Sequence, residues 1–264
     1  MKIKSELGLK FREYGKVIDC PVYDMHAHMG AWNGIYFPYP EPEDMIRRMD
    51  RSGVEMLAFA HHADLSSPDF ANGKSIDAVR KFPERMKAYY VINPNYSEAI
   101  IKDLETFEQH RDVFLGLKFH SSHGFAYTDA RYQKALEFAD DMQLPVLLHT
   151  WGGDKYCGEE IIQKLVVKYK RAKIIMGHSC HGKWDDAAQL AKDNPNVYLE
   201  LCAVLEDRSD VLEKFVCMAG SEKILFGTDF PWFNHHFYIG GVIAADITDE
   251  DRRNIFYRNA KRLL

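Results

Sequence analysis

The 264-residue sequence lacks the features that mark several large classes of protein. Its five cysteines are odd in number and include no C-x-x-C pair, which argues against a disulfide framework and favours a reducing compartment such as the cytoplasm. No run approaches the roughly 18 apolar residues that a membrane span requires. The formal net charge of −5 offers no basic surface to nucleic acid. We therefore expect a small-molecule substrate and, at most, a second copy of the chain as partner.

Nothing in the sequence divides the chain into parts, since it has neither a low-complexity linker nor an internal sequence repeat. A hydrophobic content of 46% and a charged content of 28% are ordinary for a globular enzyme. We therefore predict one domain over residues 1–264, with a short N-terminal extension before a core that starts near residue 17.

Short apolar runs, rich in branched and aromatic residues, alternate with amphipathic helical stretches along the chain. The predicted strands are Val22–Gly30, Val54–His61, Met86–Asn93, Phe114–His120, Pro145–Thr150, Lys173–His178, Val197–Ala203 and Lys223–Asp229. The predicted helices begin at Pro42 and cover Ser75–Phe82, Ser97–His110, Thr128–Met142, Glu159–Lys170, Trp184–Lys192, Asp210–Ala219 and Thr248–Leu264. Thr128 is predicted to be an N-cap, and Thr248 to open a capping box.

Eight strands that alternate with about eight helices in a chain of this length predict an α/β fold of the (β/α)8 type, a TIM barrel. A doubly wound open sheet is the alternative. It is disfavoured because no strand is followed by the G-x-G-x-x-G turn of dinucleotide-binding domains.

The twelve histidines are distributed unevenly over these elements. All but His110 fall at or just after the C-terminal ends of predicted strands. Active sites of such barrels lie at that face. His26 and His28 are two residues apart on the first strand and therefore face the same side, as a divalent metal requires of two ligands. His149, His178 and Asp229 each end another apolar strand. One such histidine alone would more often be hydrogen-bonded core, but their convergence, with a costly buried carboxylate among them, favours a metal site.

At these positions the sequence resembles the amidohydrolase superfamily, in particular the branch that contains aminocarboxymuconate-semialdehyde decarboxylase, related aromatic decarboxylases and hydratases, and TIM-barrel metal-dependent hydrolases. The matching segments are D-M-H-A-H, G-L-K-F-H-S, P-V-L-L-H-T-W-G, G-H-S-C-H-G-K-W, N-P-N-V-Y-L-E and G-T-D-F-P-W, in this order along the chain.

The resemblance implies that His26, His28, His149 and Asp229 bind one divalent metal, which we expect to be Zn2+ with Mn2+ as the alternative. Asp229 and His178 would be the catalytic residues that orient water and move protons. In binuclear relatives, the lysine of the fourth strand is carboxylated and bridges two metals. We favour a single metal here, with Lys118 as a charge partner and Glu200, if it faces inward, as its counter-ion.

The predicted substrate-binding residues surround this metal at the strand ends and in the neighbouring loops. They are His120, Trp32, Lys118, Trp151 and His181. The loops after the first and eighth strands are rich in aromatic residues, which would form a lid, pack on the barrel, or meet another subunit. Cys180 is predicted to be a packed residue rather than a nucleophile.

The sequence favours a hydrolase in which activated water attacks an amide, ester or lactone. The alternative is a lyase, either a decarboxylase or a hydratase, acting on a small unsaturated or aromatic carboxylate. The only arginines near the rim that could bind such a carboxylate are Arg131 and Arg208, which weakens the lyase prediction. A barrel that only binds a ligand is disfavoured, because it would not need this costly polar cluster.

Purified protein should contain close to one equivalent of a transition metal, and Asp229→Ala should lose most of it because a ligand is removed. Elemental analysis after chelator-free purification measures this. A wild-type content below about a tenth of an equivalent would contradict the metal prediction.

Overall fold

The computed structural model describes residues 5–66, 72–206 and 210–264. Within these ranges, eight strands form one sheet in chain order, and every neighbouring pair is parallel. The strands are β1 Tyr23–Met29, β2 Met56–His61, β3 Met86–Val91, β4 Phe114–Phe119, β5 Pro145–Trp151, β6 Lys173–His181, β7 Val197–Glu200 and β8 Ile224–Leu225. The predicted (β/α)8 barrel is confirmed, and each predicted strand overlaps an observed one.

The barrel closes between β8 and β1, although β8 is much shorter than the predicted strand Lys223–Asp229. The chain beyond β8 continues along β1 through bonds from Met25 N to Phe226 O (2.9 Å), Asp229 N to His26 O (2.7 Å) and His28 N to Phe230 O (2.6 Å). Asp229 has a φ of 57°, in the left-handed region, so this segment cannot continue as a regular strand. The segment bends at Asp229 instead, and this places the Asp229 side chain at the mouth of the barrel.

Helices connect the strands and cover the outside of the barrel. They are α1 Glu6–Tyr14, α2 Pro42–Ser52, α3 His62–Ser66, α4 Asn72–Lys81, α5 Ile100–Gln109, α6 Gln133–Asp141, α7 Glu159–Lys168, α8 Trp184–Asp193, α9 Val211–Ala219, α10 His235–Ala244, α11 Asp249–Arg253 and α12 Asn259–Lys261. A π-helical turn, Asn254–Arg258, joins the last two. No helix in the described ranges has the length and apolarity needed to cross a membrane.

Two details of the helix prediction were wrong. Thr128 does not cap α6; Asp129 accepts a hydrogen bond from Arg131 N at a preceding 3-10 turn, and α6 starts at Gln133. The histidines at 235 and 236, expected in a loop, begin α10 behind the N-cap Asn234. The capping box at Thr248 is confirmed.

Helix α1 was not predicted, although Ser5 caps its first turn and Gly15 ends it; a distant residue also holds its N-terminus. Asp249 accepts hydrogen bonds from Glu6 N (2.8 Å) and Leu7 N (3.3 Å), so the start of the chain is fixed by the start of α11. Such a carboxylate stabilises the unpaired N–H groups and the positive dipole of a helix start. The short sequence of α1 carries no sign of this partner.

The hydrophobic core has two layers, as the alternation of side chains along strands requires. One cluster fills the lower barrel interior and includes Ala58, Tyr89, Leu147, Ile175 and Leu225. The larger cluster lies between the sheet and the helices. Polar side chains, described below, fill the upper interior where the strands end.

Gly116 on β4 provides a test of this packing, since an added Cβ would lie 2.1 Å from the backbone oxygen of Pro145. Gly116→Ala should lower the free energy of unfolding by at least about 2 kcal/mol, because backbone atoms on neighbouring strands must move apart.

The control is Gly73→Ala in α4, where an added Cβ meets nothing within 4 Å. It should leave stability unchanged or raise it by up to about 1 kcal/mol. Equal stability of the two variants in urea denaturation would contradict this account.

Candidate metal centre

His26, His28 and Asp229 meet at the mouth of the barrel. The Oδ1 atom of Asp229 lies 3.1 Å from His28 Nε2 and 3.3 Å from His26 Nε2. Candidate ligand atoms of these three residues all lie within 4.8 Å of one another. β1 supplies both imidazoles on one side, and the left-handed turn after β8 supplies the carboxylate.

The contacts inside this cluster fit a cation rather than a hydrogen-bond network. Asp229 Oδ1 is buried yet forms no hydrogen bond with any described residue, although two imidazole nitrogens are close. Buried polar atoms without a partner are rare because they lose their hydration. Two imidazole nitrogens and one carboxylate oxygen pointing at a shared space are the donor set of a catalytic divalent metal.

The first imidazole, His26, has defined partners on both ring nitrogens. Its Nδ1 lies 2.9 Å from Glu200 Oε2, and its Nε2 lies 3.0 Å from the Nζ of Lys118. Lys118 and Glu200 are fully buried, so both face the barrel interior. Burial lowers the pKa of Lys118 to about 8, against the opposing effect of Asp229 and Glu200.

His149, His178 and His120 form a second row of imidazoles. His178 Nε2 lies 3.1 Å from His149 Nδ1, and the His120 ring centroid lies 4.5 Å from that of His149. The His178 ring is also 5.1 Å from the His26 ring and links the row to the cluster. His149 itself is not in the group of ligand atoms within 4.8 Å. Its role as a fourth ligand stays a prediction, as do the other assigned roles.

Burial keeps these imidazoles neutral, which metal ligands require. The pKa values of His26, His149 and His120 are lowered well below their usual value, in each case mainly by burial. Burial also lowers the pKa of His178 to about 4. For Asp229 burial alone would raise the pKa, but the nearby His26 and His28 hold it well below its ordinary value.

Asp24 is a structural residue of the site to which the sequence analysis gave no role. Its fully buried carboxylate accepts hydrogen bonds from His26 N (3.1 Å), Thr228 N (3.2 Å) and the Thr228 hydroxyl, and lies 3.1 Å from His235 Nε2. Asp24 therefore ties the strand that carries His26 to the segment that carries Asp229. The sequence contains one indication of this role, which is that Asp24 lies inside a predicted strand two residues before the predicted ligand His26.

The aromatic loops pack partly around His62, a second residue missed by the sequence analysis. The His62 ring is stacked between His28 (4.7 Å, 4°) and Phe37 (5.4 Å, 11°). It lies 2.7 Å from Gly30 O through Nδ1 and accepts a bond from Trp232 Nε1 (3.0 Å). Trp32, predicted to bind substrate, is half-buried beside His62 and Trp232. These rings hold the two loops together behind His28.

Trp151 and His181, also predicted to bind substrate, form a flat surface at the other side of the mouth. Their rings are stacked at 4.0 Å and 18°. The Trp151 ring is also nearly parallel to that of His149, at 6.2 Å and 6°. Trp151 is 41% exposed, so a large apolar face is open next to the imidazole row.

Of three remaining candidates, Arg131 and Cys180 lie apart from the cluster. Arg131 makes two 2.9 Å bonds to the Asp129 carboxylate and lies over the Phe125 ring. Arg208 lies outside the described residues. Cys180 is buried, and burial raises the pKa of its thiol to about 12, which agrees with the prediction of a packed, unreactive residue.

Comparison with known protein families places the chain among enzymes of this architecture. The model of one family, described as amidohydrolase, matches residues 23–264. The chain belongs to the amidohydrolase family. This match spans every strand and all the candidate ligands, and it confirms the resemblance found in the sequence. No relative with a curated function matches the sequence closely enough to be compared with it.

Solved structures with the same fold include decarboxylases. The 2,6-dihydroxybenzoate decarboxylase from Rhizobium has a TM-score of 0.71 and 16% identity, covering 91% of this chain and 98% of that one. A dihydroxybenzoic acid decarboxylase from a Polaromonas species, with manganese and 2-nitroresorcinol bound, has a TM-score of 0.72 and 19% identity, covering 91% and 96%. A putative amidohydrolase from Staphylococcus aureus has a TM-score of 0.73 and 14% identity, covering 94% and 99%. At these identities the likeness shows the shared fold.

Asp24→Asn should lower the free energy of unfolding by about 2–4 kcal/mol, because the amide places an N–H against a buried donor. Urea denaturation of the metal-free protein measures this. The matched control is Asp112→Asn, an exposed carboxylate paired with Arg80, which should change stability by less than about 0.5 kcal/mol. Equal effects of the two variants would show that Asp24 does not tie β1 to the segment after β8.

Proposed function

We propose that this protein is a metal-dependent lyase that removes carbon dioxide from a small aromatic carboxylic acid. The observation that carries the proposal is the combination of a buried cation, Lys118, with the predicted metal site. The names of the similar decarboxylase structures support it. The hydrolase favoured by the sequence is the second candidate, since the family also contains hydrolases.

The charges at the centre favour an anionic substrate. Lys118, with a pKa of about 8, is mostly protonated at neutral pH and offsets the charge of Asp229. Burial raises the pKa of Glu200, beside His26, to about 8, so this group is mostly uncharged at neutral pH, and the single charge of Asp24 behind the cluster does not offset a divalent ion. A loaded site would be positive overall and attract a carboxylate. Lys118 and the metal would therefore supply the positive charge that was sought in a rim arginine, of which Arg131 is paired with Asp129.

The shape of the mouth favours a planar substrate. The exposed face of Trp151 and the imidazole row provide flat walls, against which an aromatic ring gains both burial and stacking. A divalent ion held by His26, His28 and Asp229 would supply Lewis acidity to a substrate oxygen. Manganese, present in a similar structure, is as suitable for this purpose as zinc.

A group of the chain can carry the proton that decarboxylation needs. When the bond between the ring carbon and the carboxylate breaks, its electron pair stays on the ring carbon, carbon dioxide leaves, and the carbon takes up a proton. Asp229 is an ionised carboxylate that can accept a proton from a substrate hydroxyl and return it to that carbon, and the phenolate oxygen left behind then takes a proton from water. His178, neutral and next to the cluster, positions His149 and the substrate.

The test is to load the protein separately with Mn2+ and Zn2+ and to offer two panels of compounds. One panel contains hydroxybenzoates, dihydroxybenzoates and muconate-type acids, and the other contains lactones, esters and amides. We expect carbon dioxide release from the first panel. Asp229→Asn should reduce kcat by at least about 100-fold, because it removes both a metal ligand and the proton carrier.

The control variant is Asp112→Asn, which changes the same chemical group on the surface and should retain wild-type kcat. Hydrolysis of the second panel without carbon dioxide release would replace the lyase with the hydrolase. Carbon dioxide release that survives in Asp229→Asn would contradict the assignment of the centre.

A further inference from the structure

Glu200, at the end of β7, is a fully buried carboxylate that the proposed reaction does not use. Burying an ionised group is costly unless donors replace its hydration. Three donors surround it: His26 Nδ1 at 2.9 Å, His178 N at 3.0 Å and Cys202 N at 2.6 Å. Burial raises the pKa of Glu200 to about 8, and the two backbone N–H groups oppose this shift.

The space for this carboxylate is provided by Gly227. A Cβ at position 227 would lie 2.1 Å from Glu200 Oε1 and 2.7 Å from its carboxyl carbon. The side chain cannot move aside freely, because its oxygens are held by the three donors. Glu200 is thus held in one position by both packing and hydrogen bonds.

The two ring nitrogens of His26 face chemically opposite partners. Glu200 Oε2 accepts a hydrogen bond from His178 N and has a second lone pair that can accept the proton of Nδ1. The Lys118 ammonium beside Nε2 can only donate, so Nε2 must carry the lone pair. The same Nε2 atom faces Asp229 Oδ1 in the metal cluster. Both contacts therefore select the tautomer in which the ligating nitrogen is ready for a metal.

We propose that Glu200 is a positioning residue that fixes the tautomer and ring orientation of His26 and so strengthens metal binding without touching the metal. Metal-binding histidines commonly donate their second N–H to a carboxylate in this way. The inference rests on the metal site of the proposed function. The other interpretation, in which Glu200 is itself a ligand in the group of His26, His178 and Cys202, is an outcome of the test.

The first measurement uses wild-type metal-free protein labelled with 15N-histidine. Long-range 15N–1H spectra should show His26 protonated on Nδ1, with assignment by its absence in His26→Gln. In Glu200→Gln the amide N–H can face Nδ1, so the tautomer protonated on Nε2 should become populated. A wild-type His26 protonated on Nε2 would overturn the proposal, whatever the metal content.

The second measurement is the affinity for Mn2+ and Zn2+, by competition with a chromophoric chelator. Glu200→Gln should bind metal about 10- to 100-fold more weakly, with unchanged stoichiometry at saturation. The matched control is Tyr89→Phe, which removes a buried hydrogen bond from the barrel interior to Met25 O (3.0 Å) without touching an imidazole. It should bind metal within about twofold of wild type.

Three other results would overturn the role of Glu200 or the metal site itself. Affinity of Glu200→Gln within about twofold of wild type would overturn the positioning role. A loss of bound metal that saturation does not restore would make Glu200 a ligand and also overturn it. If the wild-type protein binds no metal, the proposed function fails, while the His26 tautomer still supports or contradicts the contact with Glu200.

Discussion

The site depends on the closure of the barrel between β1 and the segment after β8, where the buried carboxylate of Asp24 adds to the backbone hydrogen bonds. β8 has only two residues in regular pairing, so the last gap in the sheet is bridged by an irregular segment. Asp24 accepts hydrogen bonds from the backbone at His26 and at Thr228, and so joins the two sides of that gap. The candidate ligands His26 and Asp229 lie on these two sides. The same bonds that close the fold therefore set the distance between them.

The centre is built from neutral rings and a small number of charges. Burial keeps the imidazoles unprotonated, so their positions do not add positive charge that a divalent ion would have to overcome. The buried ionisable groups beside them are Lys118, Asp229, Glu200 and Asp24. Glu200 and Asp24 each accept hydrogen bonds from two backbone N–H groups, which is how a buried acidic group is tolerated. The site can thus be rigid before a metal or a substrate arrives.

The barrel and the cluster at its mouth were predictable from the sequence because both depend on local patterns. Alternating apolar runs define strands, and polar residues at their ends mark one rim, which brought together His26, His28 and Asp229. The orientation of Glu200 and the role of Asp24 were not predictable. Each depends on the register between strands far apart in the chain, and a single strand of four residues does not show which face is buried.

The glycine at 227 has a consequence beyond making space. Because a side chain there and the carboxylate of Glu200 would occupy the same volume, the two positions cannot vary independently. A larger residue at 227 would require a shorter one at 200, and His26 would then lose its Nδ1 partner. Related barrels should therefore change these two positions together, and a chain that lacks the pair must orient its first-strand histidine by other means.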